Sequence, residues 1–107
     1  MATAESFAKA ALALPGTISA PHFDRIAFKV KRIFATLAAD GRSANLMFTP
    51  DEQALKCAVA PALFERIENG WGRKGATTLW LAEATHDDVT AALAMAHAHA
   101  TGPATKR

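Results

Sequence analysis

Two groups of residues in this chain combine types and spacings suited to holding an anion. The first is the run Gly70-Trp71-Gly72-Arg73-Lys74-Gly75. Its three glycines open backbone conformations closed to other residues and let a ligand approach the chain closely. Arg73 and Lys74 supply charge and donors for phosphate oxygens, and Trp71 offers a π face for a base or a cation. The order is not that of a phosphate-binding P-loop, which needs Gly-Lys followed by Ser or Thr. The run also reads as a tight connection, with Trp71 plugging the end of a core and both cations solvated. The second group is Arg25, Lys29, Lys31 and Arg32, which with Asp24 alone against them give residues 22–36 a local charge of +3. A basic surface with an aromatic is what nucleic acid requires, because phosphate neutralisation supplies most of the nonspecific affinity. Ordinary solvated lysines guarding a sheet edge are the competing explanation.

Other reactive residue types do not gather. His97 and His99 are two apart, which sets them on different faces of a helix, and His22 and His86 are remote in sequence. A metal site is not expected, since a structural zinc site needs several Cys or His at ligand spacing. Cys57 is the only cysteine, so no disulfide can form within the chain. It lies among Ala54, Ala58 and Val59 and is expected to be a buried small hydrophobe with no base beside it. Glu52 and Asp88 are taken up as helix caps, and no nucleophile–base pair is recognisable, so no enzyme activity and no cofactor are expected.

These residues must be carried by a small fold. The chain has 107 residues, enough for one domain spanning 1–107. Half of it is hydrophobic, which excludes a disordered class, but 26 of those residues are alanine, which limits the core volume. The net charge of +2 permits nucleic-acid contact without requiring it. No stretch approaches the ~20 apolar residues of a membrane span, and no secretory pattern opens the chain, so a cytoplasmic protein with no membrane partner is expected.

The hydrophobic spacing predicts a helix over 3–14, from Phe7, Ala8, Ala11 and Leu12, closed by Pro15-Gly16. Alternation then predicts strands about Ile26–Val30 and Ile33–Leu37, joined near Lys31-Arg32, and the Asp40-Gly41 turn signal predicts a third at about Ala44–Phe48. This period puts Arg25 and Lys29 on the face opposite Ile26 and Phe28. Thr49-Pro50-Asp51-Glu52 is a capping box with proline at the first helical position and predicts a helix to about Val59. A short strand within Glu65–Asn69 and another over Thr77–Ala82 follow, with Leu79 and Leu81 inward and Trp80 on the basic face. Thr85-His86-Asp87-Asp88 starts a last helix to about Ala100 with Val89, Leu93 and Ala96 inward, and residues 101–107 form a loose tail. The expected core is Leu12, Phe28, Ile33, Leu37, Leu55, Leu79, Leu81 and Leu93.

In their order and spacing, several stretches resemble the MmcQ/YjbR family of small bacterial proteins. They are Ala13-Leu14-Pro15-Gly16-Thr17, Ala27-Phe28-Lys29-Val30, Ile33-Phe34-Ala35-Thr36-Leu37, Thr49-Pro50-Asp51-Glu52-Gln53, Pro61 with Phe64, and Gly70-Trp71-Gly72-Arg73-Lys74-Gly75. The resemblance spans roughly residues 7–100, with Ala76 standing where members often carry an aromatic. It implies an α+β fold, a two-layer CyaY-like sandwich whose antiparallel sheet of about five strands bears helices on one face. It also implies DNA binding, and together with the +3 cluster and the glycine-rich run the expectation is a non-enzymatic, weakly or not sequence-specific contact through Arg25, Lys29, Lys31, Arg32, Trp71, Arg73 and Lys74. The first helix carries Glu5 alone, which argues against the iron delivery associated with an acidic ridge in frataxin-type proteins. The alternative is a module for a protein or small-ligand partner with no nucleic-acid role.

Overall fold

A computed structural model describes residues 2–102. Among these, six strands form one antiparallel sheet in the order β1-β2-β3-β4-β6-β5. They are β1 (Ile18–His22), β2 (Arg25–Lys29), β3 (Ile33–Leu37), β4 (Ser43–Met47), β5 (Phe64–Arg66) and β6 (Ala76–Trp80). Helices α1 (Ala4–Leu12), α2 (Pro50–Val59) and α4 (His86–Thr101) cover one face, and the one-turn α3 (Gly70–Arg73) links β5 to β6. The fold is therefore α+β, an open antiparallel sheet with helices packed on it. The sheet has six strands where about five are expected from the sequence.

The additional strand is β1. Its residues Ile18-Ser19-Ala20-Pro21-His22 do not alternate, and Pro21 argues against a central strand. As an edge strand it needs hydrogen bonds on one side only, so the missing N–H of Pro21 is tolerated. Pairing of His22 with Arg25 leaves a two-residue turn, Phe23-Asp24, between β1 and β2.

Three helices begin with reciprocal caps. Thr49 Oγ1 accepts from the Glu52 amide while Glu52 accepts from the Thr49 amide. Thr85 with Asp88, and Thr3 with Ser6, make the same exchange. Each satisfies two amides that a helix start leaves without partners. Helix α2 occupies the predicted span, and α4 buries Val89, Ala92, Leu93, Ala96 and Ala100.

The core lies between the sheet and the helices and includes Phe7, Phe28, Phe34, Leu37, Leu46, Phe48, Phe64, Leu79, Leu81 and Leu93. Phe7 of α1 meets Phe28 of β2 edge-on, at 5.9 Å between centroids. Three expected core residues lie elsewhere. Leu12 and Leu55 are 47% and 58% exposed, because α1 buries Phe7 and Ala11 and α2 buries only Gln53. Ile33 is only partly buried and lines the opposite face of the sheet. The register of β2 against β3 shifts between Phe28 and Lys29, so Phe28 pairs with Ala35 while Lys29 pairs with Ile33. The residue gained, Phe34, turns to the helices, where its ring meets His97 of α4 at 5.3 Å. Ile26, expected inward beside Phe28, is also largely exposed near the end of its strand.

Two further boundaries move. The strand expected within Glu65–Asn69 is Phe64–Arg66, and the strand expected over Thr77–Ala82 ends at Trp80, with Leu81–Glu83 forming a 3-10 turn. The tail expected to be loose over 101–107 lies outside the described residues from Pro103 onward. Thr101 closes α4 and Gly102 is its C-cap.

Candidate functional site

The face of the sheet without helices holds a groove of about 470 Å³. Its floor is built by Ile33 and Thr36 of β3, Asn45 and Met47 of β4, and Ala76 of β6. One rim is the β1–β2 turn with His22, Phe23 and Arg25; the other is the segment after β5 with Ile67, Asn69 and Trp71. Among the described residues the lining carries one Lys or Arg, Arg25, and no carboxylate. Its volume lies within the roughly 300–1,000 Å³ usual for ligand sites.

Arg25 is held in place by β3. Its Nε donates to Thr36 Oγ1 at 2.8 Å and its Nη2 to the Thr36 carbonyl at 3.2 Å. The guanidinium is thus fixed at the groove wall with part of its donor set still open to a ligand. Lys29 lies on the same strand face and is exposed. Lys31 and Arg32 sit in the β2–β3 turn, and Arg32 turns away to donate from Nη2 to the His99 carbonyl near the end of α4, at 2.9 Å. There it meets the negative end of the helix dipole. The basic group read from the sequence therefore divides: Arg25 and Lys29 belong to the open face and Arg32 to the helix layer.

Trp71 is 65% exposed, so it is not the core plug that one reading of the loop allowed. It sits in α3, whose start is capped by Asn69: Oδ1 accepts from the Trp71 amide at 2.8 Å and the Gly72 amide at 3.2 Å. Lys74 places its Nζ 5.7 Å from the Trp71 ring centroid, a cation–π distance. Arg73 and Lys74 are exposed. The glycines of this run have two different roles. Around Gly70 there is open space, but a Cβ on Gly72 would stand 1.5 Å from the Ile67 carbonyl oxygen. Gly75 has φ +114°, and a Cβ there would meet the Phe48 carbonyl oxygen at 1.9 Å. Gly72 and Gly75 thus allow the loop to pack on the protein's own backbone, which fits the reading of this run as a tight connection more closely than a glycine role in ligand approach.

The clamp on this loop is Gln53. Its buried Nε2 donates to the Gly72 carbonyl and to the Ala76 carbonyl, both at 2.9 Å. A single glutamine in the second turn of a capped helix gives no sequence signal for such a role. Phe23 and Ile33 were likewise missed as groove residues, the first because its turn was not recognised and the second because of the shifted register.

Trp80 faces the open side as expected, but outside the groove, and its Nε1 donates to Glu65 Oε1 at 3.1 Å. An acidic residue therefore lies at the β5 edge of this face. The histidines are dispersed: His97 Nε2 lies 2.8 Å from the Pro15 carbonyl, and His22 meets the Phe23 ring at 4.9 Å. Among the described residues no three His, Cys, Asp or Glu side chains are grouped as a metal ion would need. Cys57 is half-buried against the core, and burial is the main influence raising its thiol pKa, opposed by a hydrogen bond from the Arg66 backbone and the Arg66 charge. A thiol raised in this way is mostly protonated at neutral pH and a poor nucleophile.

A second hollow, of about 390 Å³, lies between α1 and α4 and is lined by Ser6, Lys9, Ala10, Ala13, Leu14, His86, Thr90 and Leu93. No helix among the described residues is long and apolar enough to cross a membrane. Comparison of the chain with protein-family models, with curated proteins and with solved structures finds no match in any of the three.

Proposed function

We propose that this protein is a non-enzymatic DNA-binding protein, weakly or not sequence-specific, that uses the open face of its sheet, and that it belongs with the MmcQ/YjbR proteins it resembles. The observation that supports this best is the groove: Arg25 and Trp71, 46 positions apart in sequence, line one hollow with no carboxylate in its lining. Lys29 is exposed on the same face of β2, Lys74 lies against Trp71, and Arg73 is exposed in the same short helix. Phosphates then meet Arg25, Lys29, Arg73 and Lys74, while Lys31 and Arg32, in the β2–β3 turn, contribute least.

A second reading has its own support. The groove is lined largely by Phe23, Ile33, Met47, Ile67 and Trp71, which suits a small ligand or a protein side chain as well as a nucleotide. Salt dependence separates the two. Binding through phosphates releases counterions and weakens as salt rises, so Arg73→Ala and Lys74→Ala should each lower affinity similarly across sequences and shallow the salt slope by about one charge. Gel shifts or anisotropy titrations over a salt series measure this. Absence of DNA binding at about 50 mM salt with micromolar protein rejects the DNA reading.

A further inference from the structure

Phe23 is the most conspicuous residue that neither the sequence nor the charge pattern accounts for. It is 95% exposed at the tip of the β1–β2 hairpin, and its φ is +60°. In the two-residue turn Phe23-Asp24 only the first residue has positive φ, a position where hairpins normally place glycine. A bulky side chain there is a backbone outlier held against a local preference. This ring lines the groove at its β1–β2 rim, as Trp71 does at the rim beyond β5.

We propose that the groove takes single-stranded nucleic acid, here single-stranded DNA, with unpaired bases stacking on Phe23 and Trp71. The inference rests on the DNA-binding reading and narrows its ligand. Rings as exposed as Phe23 and Trp71, each with one side chain against it, His22 and Lys74 respectively, can stack only on bases that are not already stacked in a duplex. Floor and rim offer hydrogen-bonding groups suited to base edges. Asn45 on the floor receives the Thr78 hydroxyl on its Oδ1, leaving its amino group as a donor, and Asn69 on the rim accepts the Trp71 and Gly72 amides on its Oδ1, leaving its own amino group likewise. Charge complements this occupant: the groove lining holds Arg25 and no acid, with Lys29 on the same strand and Lys74 against Trp71 for the phosphates. A net charge of only +2 is small for affinity drawn mainly from duplex phosphates, and stacking is the sequence-tolerant term that supplements it.

The test is a fluorescence anisotropy titration of the whole chain with a labelled single strand of about 20 nucleotides and with its duplex, at about 50 mM salt. The single strand is expected to bind about ten-fold more tightly, and Phe23→Gly to weaken it about five-fold or more while weakening duplex binding by clearly less. Because glycine suits this turn, Phe23→Gly should keep or raise the thermal midpoint, so lost binding cannot be assigned to unfolding. Duplex binding equal to or tighter than single-strand binding overturns the inference while the broader DNA reading stands. Single-strand binding unaffected by Phe23→Gly overturns it too. No binding to either form removes both. A self-association that Phe23→Gly abolishes, with no oligonucleotide bound, assigns the groove to a second copy of the chain instead.

Discussion

Gln53 ties the loop that carries Trp71 to helix α2. Its amide bridges α2 to the carbonyls of Gly72 and Ala76, on either side of the Arg73-Lys74-Gly75 stretch. Both carbonyls keep a second donor, the Gly75 amide and the Ile67 amide respectively, so removing Gln53 loosens the loop without stranding a polar group. Gln53→Leu deletes two buried hydrogen bonds at roughly 0.5–1.5 kcal/mol each and should cost about 1–3 kcal/mol in denaturant unfolding. Amide exchange over Trp71–Gly75 should accelerate more than exchange in α4, because the lost bonds are local to the loop. Gly72 and Gly75 belong to the same device, since a Cβ at either would collide with backbone that cannot yield.

At the scale of elements, the helix starts are the most autonomous parts of the molecule. The box Thr49–Glu52 is closed by bonds of 2.9 and 3.1 Å, and Pro50 sits where its missing N–H costs nothing. Thr49→Ala should therefore destabilise the protein by about 0.5–2 kcal/mol, read from chemical denaturation. The effect should be moderate because α2 buries little beyond Gln53, and its exposed Leu55 and Val59 add nothing to the core. The β1–β2 hairpin is the opposite case. Its turn holds a phenylalanine at positive φ, so its geometry comes from pairing across five residue pairs against the local preference of Phe23.

Across the whole molecule, one face of the sheet is buried under helices and the other carries the groove, and β3, β4 and β6 contribute to both. Leu79 shows the dependence. It is fully buried on the helix side, paired with Ala44 and Phe64, while its neighbour Thr78 faces the open side and donates to Asn45. Leu79→Ala should cost roughly 2–5 kcal/mol through lost burial and the cavity left behind. That is a large part of the total stability of a domain this size, so the thermal midpoint should fall by many degrees and both faces should unfold together.

Much of this architecture was legible in the sequence, because local rules govern it. The capping boxes of α2 and α4, the presence of strands at β3 and β4, the turn at Asp40-Gly41 and the inward stripe of α4 depend on residues within a few positions of one another, and they lead to an antiparallel meander followed by capped helices. Leu79 and Leu81 inward with Trp80 outward followed from the same period. What the sequence could not supply depends on contacts between distant segments. Edge pairing makes a strand of Ile18–His22 despite Pro21. A shifted register against β2 sends Ile33 to the groove and Phe34 to the core, against simple alternation. The basic cluster is continuous in sequence, but tertiary structure divides it, drawing Arg32 to the end of α4 and leaving Arg25 at the groove wall. The physical reason is common to all three: periodicity specifies which side chains alternate, and only the partner across the sheet or on the next layer decides which face each one occupies.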